Sequence, residues 1–116
     1  MPTHSTAGTH LLLDIYWHES PDLLNFMKAV KTACNLSIVK TLYHRFEPQG
    51  ETYLALLQES HFAIHTYPEH NYWSVDLYTC GETDYIELIL ALLKKYRTAS
   101  YSHRSIVRGL RNKKYR

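Results

Sequence analysis

The feature that most limits the possible folds is a run of four strand-like segments with only short breaks between them. The segments cover residues 37–46, 52–58, 61–67 and 72–79. Turn-forming residues such as Pro48-Gln49-Gly50 occupy the breaks. Consecutive strands of this kind favour an antiparallel sheet over a parallel one. The centre of the fold is therefore predicted to be an antiparallel sheet.

Two segments with helical spacing of apolar residues flank this run. Ser20 is the expected N-cap of the first helix and Thr83 that of the second, since both are capping residue types just before a periodic stretch. A further strand is predicted before the first helix, at 10–16, and another after the second, at 100–107. The order β-α-β-β-β-β-α-β predicts an α+β two-layer sandwich, with both helices on one face of the antiparallel sheet.

The chain has 116 residues, of which 45% are hydrophobic, and this favours a single globular domain. Its two cysteines, Cys34 and Cys80, do not form a disulfide pattern. The first residues lack the basic and apolar regions of a signal peptide, and the longest apolar stretch is too short to span a bilayer. We therefore expect a cytoplasmic protein with no membrane partner.

Charge is distributed unevenly along the chain. All eleven acidic residues precede residue 88, whereas the last thirteen positions contain six of the thirteen Lys and Arg residues. The basic tail, about 109–116, could attract nucleic acid. It has one aromatic residue for base stacking, Tyr115, so a solvated terminus is the favoured interpretation and nucleic acid is not expected as a partner.

Polar functional groups are concentrated between residues 58 and 81. A metal site on His61 and His65 is disfavoured, because four residues of a strand span about 13 Å. A serine hydrolase is disfavoured because no G-x-S-x-G sequence surrounds Ser60. A nucleophilic cysteine would need a basic partner beside Cys80, and His65 could serve only if its strand lay alongside.

Several fragments of this chain, in register, resemble the prokaryotic S-adenosylmethionine decarboxylase proenzyme family, which is pyruvoyl-dependent. The resemblance covers roughly residues 8–95, and its most specific part is the combination spread over residues 59–81. The fragments are Glu59-Ser60-His61, His65-Thr66-x-Pro68-Glu69, Asp76-Leu77-Tyr78-Thr79-Cys80-Gly81, residues 8–14 and His44-Arg45-Phe46.

The resemblance implies self-cleavage between Glu59 and Ser60. The products would be a β chain, 1–59, and an α chain, 60–116, whose first residue becomes a covalent pyruvoyl group. This group would form a Schiff base with the substrate amine and act as the electron sink that pyridoxal phosphate supplies elsewhere. The expected product is decarboxylated S-adenosylmethionine for spermidine synthesis.

The resemblance also assigns roles to individual residues. His65 would transfer the proton lost during processing, and the hydroxyl of Thr52 would stabilise the oxyanion. Cys80 would donate the proton that replaces CO2, since free thiols are mostly protonated at neutral pH. Phe46 and Tyr67 would supply aromatic faces to the substrate.

Glu69 would hold the ribose hydroxyls of the substrate. Other positions depart from the family: Trp73 stands in place of a small residue, His70-Asn71 in place of Tyr-Gly, and Trp17-His18 in place of Gly-Cys. We expect these changes to alter the walls of the pocket or the dimer contact.

The departures leave other functions open. Family members that decarboxylate ornithine or arginine bind substrates without an adenine, and a non-catalytic homologue would remain uncut. The small-molecule substrate is thus predicted less firmly than the cleavage. A homodimer of processed protomers with shared active sites is expected from the resemblance, and a sheet with helices on one face leaves its other face to be covered.

Overall fold

The computed structural model describes residues 7–81 and 83–109, so the predicted tail lies outside the described residues beyond Gly109. The predicted order of six strands and two α-helices is confirmed. A short 3-10 turn joins β4 to β5. The elements are β1 (Gly8–Glu19), α1 (Leu23–Cys34), β2 (Ile38–Arg45), β3 (Glu51–Leu57), β4 (Ser60–Tyr67), the 3-10 turn (Pro68–His70), β5 (Tyr72–Cys80), α2 (Ile86–Leu93) and β6 (Arg97–Arg108).

All six strands form one antiparallel sheet in the order β2-β3-β4-β5-β1-β6. The first strand is inserted between the last two strands of the sequence, so Gly8 pairs with Cys80 on one side and with Arg108 on the other. The β4 strand begins at Ser60, at this same end of the sheet. One end of the sheet thus gathers residues from four separate parts of the chain.

The two faces of the sheet differ because side chains alternate along each strand. In β5 the side chains at 73, 75, 77 and 79 are buried, whereas the intervening ones are half-exposed. The buried face packs against both helices, through residues such as Phe26 and Ile89, which are 0% and 1% exposed. The opposite face, called the open face below, exposes Leu42, Leu54 and Leu56.

Both predicted helix caps are wrong by a few residues. The cap of α1 is Asp22, not Ser20, because the Asp22 carboxylate accepts a hydrogen bond of 3.0 Å from the Asn25 backbone N–H. The α2 helix begins at Ile86, so Thr83 lies three residues before it. The Ile86 N–H donates a hydrogen bond of 3.0 Å to the Asp84 carboxylate. In each case an aspartate closer to the helix supplies the acceptor.

The two tryptophans that depart from the family lie in the core, and the expectation that they alter the pocket is wrong. Trp73 is 4% exposed and Trp17 is 3% exposed, and both lie on the helix-covered face. Their rings meet edge-to-face at 4.9 Å, and Trp73 also packs on Phe26 at 5.4 Å. The two large residues therefore fill one volume between the sheet and the helices.

Candidate active site

The motif residues gather at two opposite ends of the sheet. The first, called the Ser60 end below, contains Ser60, Cys80 and the Gly8-Thr9 sequence. The second, called the His65 end below, contains Thr52 and His65. Residues that are scattered over the sequence thus form two clusters.

The peptide bond between Glu59 and Ser60 lies at the exit of the tight β3–β4 turn. Leu57 pairs with Ser60, so Gln58 and Glu59 form the turn itself. Glu59 has a φ of +64°, a left-handed conformation that costs a non-glycine residue of the order of 1 kcal/mol. The peptide bond before Ser60 therefore follows a residue held in an unfavourable conformation.

Ser60 and Cys80 are brought together although they are twenty residues apart in the sequence. The backbone N–H of Cys80 donates a hydrogen bond of 3.1 Å to Ser60 Oγ. Because Oγ is the acceptor, the hydrogen of its own hydroxyl is not used in this bond. Oγ is thus fixed in position while its proton remains available for transfer.

The Gly8-Thr9 sequence holds the strand that carries Cys80. The Thr9 hydroxyl donates to the Gly81 carbonyl at 3.1 Å, and the Gly81 N–H donates to the Ala7 carbonyl at 3.1 Å. These bonds tie the segment after Cys80 to the start of β1. The Gly-Thr and Thr-Cys-Gly motifs therefore support each other across the sheet.

The His65 end is built around a hydrogen bond between neighbouring strands. Thr52 on β3 lies directly opposite His65 on β4, and Thr52 Oγ1 is 2.9 Å from His65 Nδ1. When Nδ1 carries the proton and donates it to Oγ1, Nε2 is an unprotonated base. In that tautomer, the contact with Thr52 orients the ring with Nε2 free to accept a proton.

The predicted substrate-binding residues surround this pair. Phe46, Tyr67 and Glu69 line one cavity of about 440 Å³ together with Thr52 and His65. The side-chain amide of Gln49 donates to the Glu69 carboxylate at 3.4 Å, at the rim. The structure thus brings together five of the residues that the sequence singled out.

The two ends are not brought together within one chain. Ser60 and His65 are five residues apart on β4, which corresponds to about 16 Å along a strand. His65 lies opposite Ser74, six residues before Cys80 along β5, so His65 of the same chain is too far away to be the basic partner of a nucleophilic Cys80. Proton transfer between Ser60 and His65 would need a second copy of the protein.

The two cysteines have different surroundings. Cys80 is exposed, whereas Cys34 is 4% exposed on the buried face of α1. Burial raises the pKa of the Cys34 thiol to about 11, because the thiolate is poorly solvated there. Cys34 is therefore a core residue, and Cys80 is the thiol available for chemistry.

A row of tyrosines beside the His65 end was missed by the sequence reasoning. Tyr72 lies between Tyr67 and Tyr16, with ring centroids at 5.4 and 5.0 Å, and its hydroxyl donates to Asp14 at 2.5 Å. Burial, and then the hydrogen bond to Asp14, raise the pKa of Tyr72. Only the strand register shows this row, since Tyr16 and Tyr72 are far apart in the sequence.

The described residues contain no helix long and apolar enough to cross a membrane. Within 7–81 and 83–109 there is also no group of three or more His, Cys, Asp or Glu side chains arranged to hold a metal ion. On the open face, His10 Nε2 and Asp76 Oδ1 form a pair at 3.1 Å.

Comparison with known proteins identifies a family for this chain. The family model described as S-adenosylmethionine decarboxylase matches residues 9–109. The S-adenosylmethionine decarboxylase proenzyme of Brevibacillus brevis is 38% identical over 118 residues, which cover 92% of this chain and 86% of the relative. That of a Sulfurihydrogenibium species is 42% identical over 103 residues, which cover 79% and 77%.

A solved structure shows the same fold. The crystal structure of the adenosylmethionine decarboxylase from Aquifex aeolicus superposes with a TM-score of 0.78 at 27% identity, covering 94% of this chain and 96% of that one. The family match spans nearly all of the described residues, including both the Ser60 and the His65 ends. This chain belongs to the S-adenosylmethionine decarboxylase family.

Proposed function

We propose that the chain cleaves itself between Glu59 and Ser60 and then decarboxylates S-adenosylmethionine. The observation that carries the proposal is the position of Ser60 Oγ, which is held by the Cys80 N–H next to a peptide bond that follows a left-handed residue. A fixed hydroxyl beside a strained peptide unit is what an N-to-O acyl shift requires. The family membership supports the same activity.

Cleavage would proceed from residues that are already in place. Ser60 Oγ attacks the carbonyl carbon of Glu59, and the amide becomes an ester. A base then removes the α-proton of residue 60, the bond between Cβ and Oγ breaks, and Oγ leaves as part of the Glu59 carboxylate. Hydrolysis of the remaining enamine releases ammonia and leaves a ketone, the pyruvoyl group, at position 60.

The base in this scheme is His65 of a second copy. Two sheets can pair through their open faces about a two-fold axis that lies between them and runs across the strands. Such a rotation reverses the strand direction, so it brings the Ser60 end of one chain over the His65 end of its partner. The exposed leucines of the open face, Leu42, Leu54 and Leu56, give this pairing an apolar surface to bury. The proposed unit is therefore a homodimer with two shared sites.

The substrate would lie between the two ends. Phe46 and Tyr67 offer aromatic faces to the adenine and to the positively charged sulfonium, and Glu69 offers acceptors to the ribose hydroxyls. The pyruvoyl group would supply the electron sink for the loss of CO2. The thiol of Cys80, exposed beside residue 60, would return a proton to the α-carbon.

Intact-mass analysis of the purified protein tests the cleavage, and CO2 release tests the substrate. We expect two fragments instead of one 13.6 kDa species, and the C-terminal fragment should lack a free amine. Labelled S-adenosylmethionine, ornithine and arginine should be compared on the same cleaved sample. A single uncut species would rule out the proposal, and release from ornithine or arginine alone would assign the enzyme to a different substrate.

Replacement of Cys80 should separate cleavage from turnover. The Cys80→Ala variant keeps the backbone N–H that positions Ser60 Oγ, so it should still be cut. It should lose about 10²- to 10⁴-fold in kcat, the usual contribution of a general acid. Cys34→Ala is the control, because it removes the other thiol of the chain, which is buried in the core. Full activity of Cys80→Ala would assign the proton transfer to another group.

A further inference from the structure

A second cavity adjoins the scissile bond on the open face of the Ser60 end. It has a volume of about 560 Å³, and its lining includes Glu59, Ser60, Tyr78 and Arg108. The role of Arg108 is not accounted for by the cleavage or by the proton transfers described above. It comes from β6, the last strand, and reaches this end because β6 pairs with β1.

The Arg108 guanidinium rests on an aromatic platform. Its central carbon is 5.3 Å from the centroid of the Tyr78 ring, within the range of a cation–π contact. The Tyr78 ring leans over Gly8, where an added Cβ would lie 2.7 Å from the ring and 2.5 Å from the Thr79 carbonyl oxygen. The absence of a side chain at Gly8 therefore makes room for the tyrosine that supports Arg108.

This arginine has no counter-ion among the described residues. The ion pairs in that part of the chain are Arg97 with Glu19 and His10 with Asp76. Glu59 borders the same cavity but does not form an ion pair with Arg108. A guanidinium that packs on a ring and has no carboxylate partner among the described residues can offer its planar fork of N–H donors to a carboxylate.

We propose that Arg108 binds the α-carboxylate of the substrate beside residue 60, an inference that rests on the proposed function. The substrate of a decarboxylase carries a carboxylate on the reacting carbon, so this group must lie near the modified residue. Cleavage creates one other carboxylate in the cavity, the new C-terminus of Glu59. The substrate and the new C-terminus of Glu59 would both present a carboxylate to Arg108, so the experiment has to distinguish them.

Two substrate-like ligands, one with a carboxylate and one with an amide in its place, can show whether Arg108 binds the carboxylate of the substrate. Thioethers of adenosine that carry a butyric acid or the corresponding butyramide have no aliphatic amine to form a Schiff base with a ketone. The two ligands have nearly the same shape, but only the acid is charged. Their dissociation constants should be measured calorimetrically on cleaved wild-type protein and on the Arg108→Gln and Arg104→Gln variants. Arg104 lies on the same face of β6 but outside the cavity, so it is the matched control.

The acid should bind wild-type protein more tightly than the amide, and Arg108→Gln should weaken the acid about ten- to a hundredfold while leaving the amide unchanged. Arg104→Gln should alter neither constant. In turnover, Arg108→Gln should raise KM for S-adenosylmethionine more than it lowers kcat, since the contact exists before the chemistry.

Equal weakening of both ligands, or no weakening of either, would overturn the assignment. An equal effect accompanied by easier dissociation of fragment 1–59 would instead place the Glu59 carboxylate on Arg108. These outcomes differ from failure of the proposed function, because they are measured on protein already shown to be cleaved and to release CO2.

Discussion

Coexpression of Ser60→Ala with His65→Ala is expected to produce cleavage of the His65→Ala chain, although neither variant should be cut when expressed alone. Ser60→Ala lacks the attacking hydroxyl, and His65→Ala lacks the proposed base. In a mixed dimer, the intact Ser60 of one chain faces the intact His65 of the other. We expect His65 to act on the other chain because Ser60 and His65 of one chain are about 16 Å apart along β4.

Intact-mass analysis of the mixed sample shows which of the two chains is cleaved, provided that the chains carry tags of different mass. With random pairing, about half of the His65→Ala chains should be cut, and the Ser60→Ala chains should stay whole. His103→Ala, which changes an exposed histidine of β6, should be cut normally as a control. Cleavage of His65→Ala alone would remove the histidine from processing, and an uncut mixture would argue against sites shared between chains.

The order of elements could be predicted from the sequence because its signals are local. Strand-like segments, turn residues and helical spacing lie within a few positions of one another, and the structure confirms all eight elements. The helix caps were misplaced because capping depends on which of several neighbouring side chains reaches a backbone N–H. Asp22 and Asp84 do so, and Ser20 and Thr83 do not serve as the caps.

The division of the site into two ends could not be predicted from the motifs alone. Ser60 and His65 are close in the sequence but distant on a strand, whereas Ser60 and Cys80 are distant in the sequence but in contact. The contact depends on the register of β4 and β5, which is set by the side chains that face the core. Arg108 was missed for the same reason, since it reaches the cavity only through the pairing of β6 with β1.

The departures at Trp17 and Trp73 were expected to alter the walls of the pocket or the dimer contact, although strand alternation indicates which face Trp73 occupies. Trp73 shares its face with Val75 and Leu77, which are buried, whereas Ser74 points to the open face. A pattern read along β5 therefore places the tryptophan under the helices. The pocket residues at the His65 end are unaffected by this substitution, so the departure does not count against S-adenosylmethionine as the substrate.

Trp73→Ala should lower the free energy of unfolding by about 3–5 kcal/mol, as expected when a buried tryptophan ring is removed from a packed core. Its ring contacts Trp17 and Phe26 edge-to-face, and both would then border an empty volume. KM for S-adenosylmethionine should stay within about twofold of the wild-type value, because none of the three rings lines the cavity at the His65 end. Unfolding is best measured by denaturant on an uncut Ser60→Ala background at fixed protein concentration, so that one intact chain is compared throughout.

The pair of tryptophans provides an internal check on this interpretation. Trp17→Ala should also destabilise the chain, and the double variant should lose less stability than the two single losses added together. The two rings fill one volume, so part of each single loss is the same lost contact, and a coupling of about 0.5–1.5 kcal/mol is expected. Exposed His70→Ala, at another departure from the family, should leave stability nearly unchanged. A raised KM for Trp73→Ala with unaltered stability would return Trp73 to the substrate pocket and would reopen the choice among substrates.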